Sequence, residues 1–376
     1  MIPERLKRVS EDPLSWARDR KAMGRRVIGY FLPDVPVEII HAAGADPFLL
    51  TGALWAASEV SARLQDYACP ISRRGLGLAL SHEIDFLDGV VLPIVCDTTR
   101  CMAHIWRNNC ERPFLHSLLL PRKRDDLEAR NYLLREFSRL RERLEESLGA
   151  AISLDSLRQS IALYNRQRQA MKEIYLLRQG GRLGLCNGEF QDLVRSSFII
   201  PPEEHNPSIE GLRPRLLEME ARAGDGSIRI YISGKVAEPR ELFAFLDELG
   251  CTIVGDDLWD GYCSFSSHVR GWGDPMEGLR DHYMDRLPSP VFFDSRGRRE
   301  LMVAETAQSL CADAVVFLHP RCCEVFAFHY PTLKMTLQSV NIPHLLLELE
   351  SGPGLTVGLR KQLESFVEVL RSHMAG

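Results

Sequence analysis

Ten cysteines are the residues of this 376-residue chain with the clearest chemical potential. No Cys-x-x-Cys occurs among them, which excludes zinc ribbons, thioredoxin-type redox sites and ferredoxins of the bacterial type. Cysteines of a protein in a reducing compartment do not form a disulfide framework, so metal binding, redox chemistry or burial must explain them. Any metal site must therefore be assembled from segments that are far apart in the sequence.

Three cysteines occupy positions that favour the thiolate, the form that binds metals. Cys96 follows the apolar run VVLPIV and precedes DTTR, so we expect its sulfur at the carboxyl edge of a sheet, before a capped helix. Cys69 precedes Pro70, and proline is a favoured first helical residue, so its sulfur would face the positive end of a helix. Cys323 follows the strand-like run AVVFLH.

Burial is the alternative explanation for each of these three cysteines, because cysteine is among the residue types most often found in cores. Cys322 adjoins Cys323, so the sequence leaves open which of the two would be a ligand. The remaining cysteines lack a helix-cap pattern, and we interpret them as packing residues: Cys101, Cys110, Cys186, Cys251, Cys263 and Cys311.

The elements that must position these residues alternate between strand and helix in two runs. The first run predicts helices over 35–44 and 98–109 and strands over 25–31, 87–95 and 113–121. Residues 125–179 then have the pattern of long, charged, amphipathic helices.

The second run predicts four strands, over 227–234, 251–257, 314–319 and 344–350. Helices are predicted between and after them, over 238–249, up to about 310, over 330–340 and beyond 350. We therefore predict an α/β protein with two Rossmann-like parallel-sheet domains and additional long helices. The N-terminal domain with its helical section would cover residues 1–180, and the C-terminal domain 181–376.

Common nucleotide-binding and hydrolase motifs are missing. ISGKV contains Gly-Lys but lacks the earlier glycine and the Ser/Thr of a phosphate-binding loop, and SGPGLTVG misses the dinucleotide spacing by one residue. The sequence contains neither a Gly-x-Ser-x-Gly elbow nor a His-Glu-x-x-His helix. These absences argue against common hydrolases and dehydrogenases.

Charge and hydropathy favour a small-molecule ligand. The 46 basic and 51 acidic residues give a formal charge of -5, which does not favour a nucleic-acid partner. No apolar run reaches the roughly 18 residues that a membrane span needs, and the first residues lack a signal-peptide pattern. We expect a cytoplasmic protein with no nucleic-acid or membrane partner.

Six segments point to a known family. GYFLPDVPVEIIHAAGADP, YACPISRRGLG, LDGVVLPIVCDTTR, IRIYISGKV, IVGDDLWDGY and CEVFAFHYPTLK follow one another between about residues 27 and 350. Together they resemble the iron-sulfur subunits of the 2-hydroxyacyl-CoA dehydratase and benzoyl-CoA reductase family. The resemblance implies a 4Fe-4S cluster bound by Cys69, Cys96 and Cys323, with one iron left open.

The same resemblance implies partners and an activity. The partners would be a homologous second iron-sulfur subunit, an ATP-dependent activator protein with its own iron-sulfur cluster, and an acyl-CoA substrate. The activity would pass low-potential single electrons to the thioester and form a ketyl radical, as in a 2-hydroxyacyl-CoA dehydratase, a lyase, or a benzoyl-CoA reductase, an oxidoreductase. The residues do not distinguish dehydration from ring reduction.

One departure from the family pattern leaves alternatives open. The family often has Cys-Asp-Pro at the third cysteine, whereas this chain has CCEVF, with Glu324 where aspartate is common. Related proteins hold a double-cubane cluster and reduce small molecules without CoA. Such a reductase, or a structural subunit without a cluster, is therefore an alternative.

Glu38 and His41 are the candidate catalytic residues. They lie three positions apart on a predicted helix and so share one face, from which they could bind the thioester region or relay a proton. A pair on the helix surface is the competing interpretation. Asp256 and Asp257, at the end of a predicted strand, could organise a proton path or act as turn residues.

Overall fold

The computed structural model describes residues 2–50, 60–110, 115–123, 126–181, 183–218, 227–288, 298–350 and 354–374. Two parallel sheets of four strands each form its framework. Helices flank both sheets, so the predicted α/β class with two Rossmann-like units is confirmed. None of the described helices is long and apolar enough to cross a membrane.

The first sheet is built from β1 (Arg26–Tyr30), β2 (Ala45–Leu49), β3 (Gly89–Ile94) and β4 (Leu115–Leu119). Its strand order is β2-β1-β3-β4, and all pairs are parallel. The helices of this part are α1 (Glu4–Glu11), α2 (Pro13–Ala22), α3 (Val37–Ala42), α4 (Pro70–Leu80) and α5 (Asp97–Asn109).

The second sheet is built from β5 (Ile228–Gly234), β6 (Cys251–Asp256), β7 (Ala314–Pro320) and β8 (His344–Leu349). Its order, β6-β5-β7-β8, repeats the order of the first sheet, and its pairs are also parallel. Its helices are α10 (Glu241–Glu248), α11 (Tyr262–Phe265), α12 (Pro275–Asp285), α13 (Arg298–Ser309), α14 (Glu324–Ser339) and α15 (Val357–Met374).

Four helices connect the two sheets along the chain: α6 (Leu127–Leu148), α7 (Leu154–Gln179), α8 (Asn187–Ser196) and α9 (Pro202–Glu218). The predicted long helices of residues 125–179 correspond to the first two. Helix α8 packs on the N-terminal helix α1, where Ser10 donates a hydrogen bond of 2.8 Å to Asp192. The domain boundary at residue 180 stays a prediction.

The apolar core follows from the strand sequences. In β7 every residue is buried, and the side chains alternate between two clusters. Val315 and Phe317 join the large core, whereas Val316 and Leu318 pack with α10 and α15. A strand covered on both faces is typical of a parallel sheet, which explains the continuous apolar run in the sequence.

Strand β2 and the start of α14 differ from the prediction. Strand β2 was missed because it contains Asp46 and Pro47, residue types that are rare in strands. It lies at the edge of its sheet, where proline is tolerated, and Arg20 and Arg25 pair with the buried Asp46 at 2.7 and 2.6 Å.

Helix α14 begins at Glu324, earlier than predicted, and accommodates Pro331 in its interior. Residues 113 and 114 of the predicted strand 113–121 lie outside the described ranges.

Candidate metal centre

Three buried cysteines each occupy the N-cap position of a helix. Cys69 precedes α4, Cys96 precedes α5 and Cys323 precedes α14. Their exposed fractions are 3%, 7% and 3%, respectively. The positive end of a helix dipole stabilises a thiolate, so each sulfur occupies a position suited to metal binding.

Hydrogen bonds between Cys96 and Thr99 hold the Cys96 sulfur in one orientation. The backbone N–H of Thr99 donates to Cys96 Sγ at 3.4 Å, and the N–H of Cys96 donates to Thr99 Oγ1 at 3.2 Å. This reciprocal capping box satisfies two backbone donors at the start of α5. The capped helix expected after Cys96 is therefore present, with Cys96 at the N-cap position and Thr99 as its partner.

The adjacent cysteines at the start of α14 occupy different environments. Cys322 is exposed and has a φ of 60°, a left-handed conformation, whereas Cys323 is buried. The backbone N–H of Cys323 donates to Pro320 O at 2.9 Å, which folds the chain back onto the end of β7. The local fold therefore places only Cys323 of this pair in the interior.

A buried lysine lies within electrostatic range of all three sulfurs. Lys235 directly follows β5 and is 2% exposed. Burial would lower the pKa of Lys235, but the charges of Cys323, Cys69 and Cys96, with that of Glu324, raise it overall. Burial likewise raises the pKa of the Cys323 thiol, and Lys235 opposes that rise. Three distant segments thus bring their sulfurs within electrostatic range of one ammonium group.

The thiol donors of these residues are compatible with an iron-sulfur cluster. In the described part of the chain, no three His, Cys, Asp or Glu side chains converge closely enough to hold one ion. In a cubane each thiolate binds a different iron, so the sulfurs stand further apart than the ligands of one ion. A set of thiolates also has the softness that iron-sulfur clusters select, and the buried ammonium requires nearby negative charge.

A cavity of about 570 Å³ lies beside these segments. Its lining includes Pro70, next to Cys69; Val236, next to Lys235; and Pro320, the acceptor for Cys323. The start of α4 and the carboxyl ends of β7 and β8 in the second sheet therefore border one space, and strand ends of this kind are where open α/β sheets bind ligands.

A second cavity, with about 750 Å³ of empty space that includes open solvent, has a mixed apolar and charged lining. Apolar side chains such as Phe198 line it together with two buried ion pairs. Glu38 pairs with Arg168, and Asp34 pairs with Arg286. Burial lowers the pKa of Arg286 to about 10, so even this guanidinium is strongly desolvated.

Glu38 and His41 lie in different surroundings. Glu38 lines the larger cavity, whereas both ring nitrogens of His41 are engaged elsewhere. Nδ1 lies 2.9 Å from Ser160 Oγ, and Nε2 lies 2.7 Å from a carboxylate oxygen of Glu203. Ser160 in turn donates to the backbone carbonyl of Glu38 at 2.9 Å. His41 therefore ties α3 to α7 and α9, and its predicted proton relay stays a prediction.

Asp256 and Asp257 shape the turn after β6. Asp256 accepts the N–H groups of Leu258 at 3.1 Å and Tyr262 at 2.9 Å, and burial raises its pKa to about 6. Asp257 forms an ion pair of 2.8 Å with the buried Arg299. These contacts match the turn role that the sequence left open.

Several interpretations of the other cysteines were wrong. Cys186 was assigned no cap pattern, yet it caps α8 in a capping box with Glu189. Cys101 and Cys311 are exposed and do not pack in the core. Cys251 and Cys263 are buried as expected. A helix-cap position alone therefore does not identify a ligand.

Lys235 was the main residue that sequence reasoning missed. In the sequence, ISGKV reads only as an incomplete phosphate loop. The signal present there was a lysine directly after a largely buried strand, at the carboxyl edge of the sheet where ligand sites occur. Arg168 and Arg286 were also missed, because their partners come from distant segments.

Comparisons with known proteins give consistent results. The family model "2-hydroxyglutaryl-CoA dehydratase, D-component" matches residues 34–370. A benzoyl-CoA reductase subunit of Thauera aromatica is 28% identical over 353 residues, covering 92% of this chain and 91% of that protein. The (R)-phenyllactyl-CoA dehydratase beta subunit of Clostridium sporogenes is 23% identical over 97% of both chains. The lactoyl-CoA dehydratase subunit beta of Anaerotignum propionicum is 25% identical over 98% of both.

Proposed function

Because the chain belongs to the 2-hydroxyglutaryl-CoA dehydratase D-component family, we propose that it is the iron-sulfur subunit of a 2-hydroxyacyl-CoA dehydratase or a benzoyl-CoA reductase-type enzyme. The observation that carries this proposal is that three buried cysteines, each at the N-cap position of a helix, lie within electrostatic range of Lys235. Cys69, Cys96 and Cys323 would hold a 4Fe-4S cluster. When bound, such a cluster supplies single electrons at low potential to an acyl-CoA thioester, which becomes a ketyl radical.

The protein's own residues prepare the site in two ways. Three helix N-termini favour the thiolate form of the sulfurs, and the cap hydrogen bonds at Cys96 hold one sulfur in a fixed orientation. Burial of the cysteines keeps bulk water away, which strengthens every electrostatic interaction among them. Burial disfavours the additional negative charge of a reduced cluster and so favours a low potential, whereas the helix N-termini and the cap hydrogen bonds favour the reduced form.

The acyl group of the substrate would occupy the cavity of about 750 Å³. Its apolar lining suits an acyl chain or ring, and its buried ion pairs supply the few fixed polar groups that orient a ligand. Glu38 lines this cavity and would accept a proton from the substrate or deliver one to it. His41 would act as a positioning residue, because Ser160 connects it to the Glu38 carbonyl.

The proposed activity requires partner proteins. Two of the relatives are named beta subunits and a third is named as one subunit of a benzoyl-CoA reductase, so each belongs to a larger assembly. We infer a homologous second iron-sulfur subunit for this chain as well. The family resemblance implies a separate ATP-hydrolysing activator protein with its own cluster, and the lack of a phosphate-binding loop in this sequence agrees with that. The cytoplasm stays the predicted compartment.

Anaerobic reconstitution tests this function. The full chain should take up about four irons and about four sulfides and show the broad visible absorbance of a cubane. Cys96→Ser should lose most of this absorbance, whereas Cys101→Ser, an exposed cysteine on the same helix, should keep it. About eight irons per chain would favour the double-cubane reductase, and a colourless chain would favour a structural subunit.

A further inference from the structure

Both ends of Lys235 are fixed inside the protein. The residue follows β5, a central strand of the second sheet, and its backbone carbonyl accepts the N–H of Trp259 at 3.1 Å. The ammonium group lies 5.5 Å from the centre of the Trp259 ring, a cation–π contact. Trp259 itself is fully buried. The ammonium therefore cannot reach solvent without disturbing a packed tryptophan.

The charges around this ammonium come mainly from sulfur. Asp256 and Asp257, which follow the neighbouring strand, are engaged by backbone N–H groups and by Arg299. Asp260 accepts the N–H of Ala237 at 2.9 Å. Glu324 contributes to the field at Lys235, but this carboxylate is exposed and therefore screened by water.

The lining of one cavity independently supports the placement of Lys235 near the candidate cysteines. Residues adjacent to Lys235 and Cys69, together with Pro320 of the Cys323 loop, line the same cavity of about 570 Å³. A buried cation is tolerated only beside compensating negative charge. Three thiolates that bind a cubane carry such a charge, and it grows by one unit when the cluster accepts an electron.

We propose that the Lys235 ammonium balances the negative charge of the thiolate-bound cluster and thereby raises the reduction potential of the cluster. The inference rests on the proposed function, since it assigns a residue to the same cluster. Net charge is one of the determinants of iron-sulfur potentials, and a fixed cation near the cluster favours the reduced form. Lys235 would thereby determine how low the reduction potential of the activator must be for the activator to reduce this cluster.

Charge-removing and charge-keeping variants separate this role from packing. Lys235→Met keeps a long apolar stem beside Trp259 but lacks the charge, whereas Lys235→Arg keeps the charge. Lys361→Met, on the exposed face of α15, is the matched control. Each full-length variant is reconstituted anaerobically, its iron is counted, and its midpoint potential is measured by a titration monitored by electron paramagnetic resonance.

In Lys235→Met, reduction should become at least tenfold less favourable, a midpoint about 59 mV more negative for a one-electron couple. Lys235→Arg and Lys361→Met should stay near the wild-type midpoint. Loss of iron from Lys235→Met alone, with retention in Lys235→Arg, would also support the proposal. An unchanged midpoint in iron-replete Lys235→Met, or equal iron loss from the Met and Arg variants, would overturn it. A wild-type chain that takes up no iron would instead overturn the proposed function and this inference with it.

Discussion

Removal of Arg168 should reveal how strongly the larger cavity depends on its buried ion pair. Arg168 pairs with Glu38, and the side chains of the two residues are 10% and 2% exposed. Arg168→Met leaves the Glu38 carboxylate buried without its cation. Breaking a pair of this kind by removing one partner costs about 3–5 kcal/mol.

The cost should nearly disappear when both charges are removed together. In the double variant Glu38→Leu/Arg168→Met, no uncompensated charge remains, and apolar replacement of a whole buried pair is often neutral or stabilising. The free energy of unfolding would therefore be lower in the single variant than in the double variant. Urea unfolding of the wild-type, single-variant and double-variant chains measures this difference.

Arg166 provides the matched control on the same helix. It pairs with Glu210 at 2.6 Å, but both side chains of this pair are exposed. Arg166→Met should therefore change the free energy of unfolding very little. The reasoning would be refuted if Arg168→Met were as mild as Arg166→Met, or if the double variant were as unstable as Arg168→Met.

Three further outcomes are expected. Burial raises the pKa of Asp260 to about 7, above its ordinary value of 3.8, so the folded state binds this proton more tightly than the unfolded state. Stability should then fall as the pH rises from about 4 to about 7, and pH-dependent urea titrations should show a flatter decline in Asp260→Asn. Cys323→Ser should lose most of the reconstituted iron, whereas Cys322→Ser should retain it, because only Cys323 is buried; equal retention would contradict the assignment. A Cβ at Gly75 would meet the ring of Phe31 at 2.5 Å, so Gly75→Ala should displace α4 and reduce iron retention, and iron analysis showing wild-type retention would exclude such a displacement.

The parts of the fold that sequence predicts well are those with a local signal. Strands β3 and β7 are continuous apolar runs, because both of their faces are covered. Cys69 followed by Pro70 correctly predicts the start of α4. Strand β2 was not predictable in this way, because Pro47 is compatible with a strand only at the sheet edge, and edge position is a tertiary property.

The site was predictable in its candidates but not in its geometry. The positions of Cys69 and Cys96 before helices come from local sequence, whereas the helix after Cys323 begins earlier than predicted. Cys186 satisfies the same local rule, however, and its own neighbours are Arg178 and Asp247. Only the packing of distant segments distinguishes the three candidate ligands from a cysteine such as Cys186. The same holds for Lys235, since no local pattern reports that sulfurs from other segments lie beside it.

The distribution of the sulfurs over the two sheets bears on how the protein matures. In both sheets, a candidate cysteine follows the third strand: Cys96 after β3 and Cys323 after β7. The proposed centre thus needs residues from both sheets. During translation, Cys69 and Cys96 leave the ribosome long before Cys323 has been made. Insertion of the proposed cluster would therefore have to wait until Cys323 has emerged, and a product terminated before Cys323 would contain only part of the ligand set.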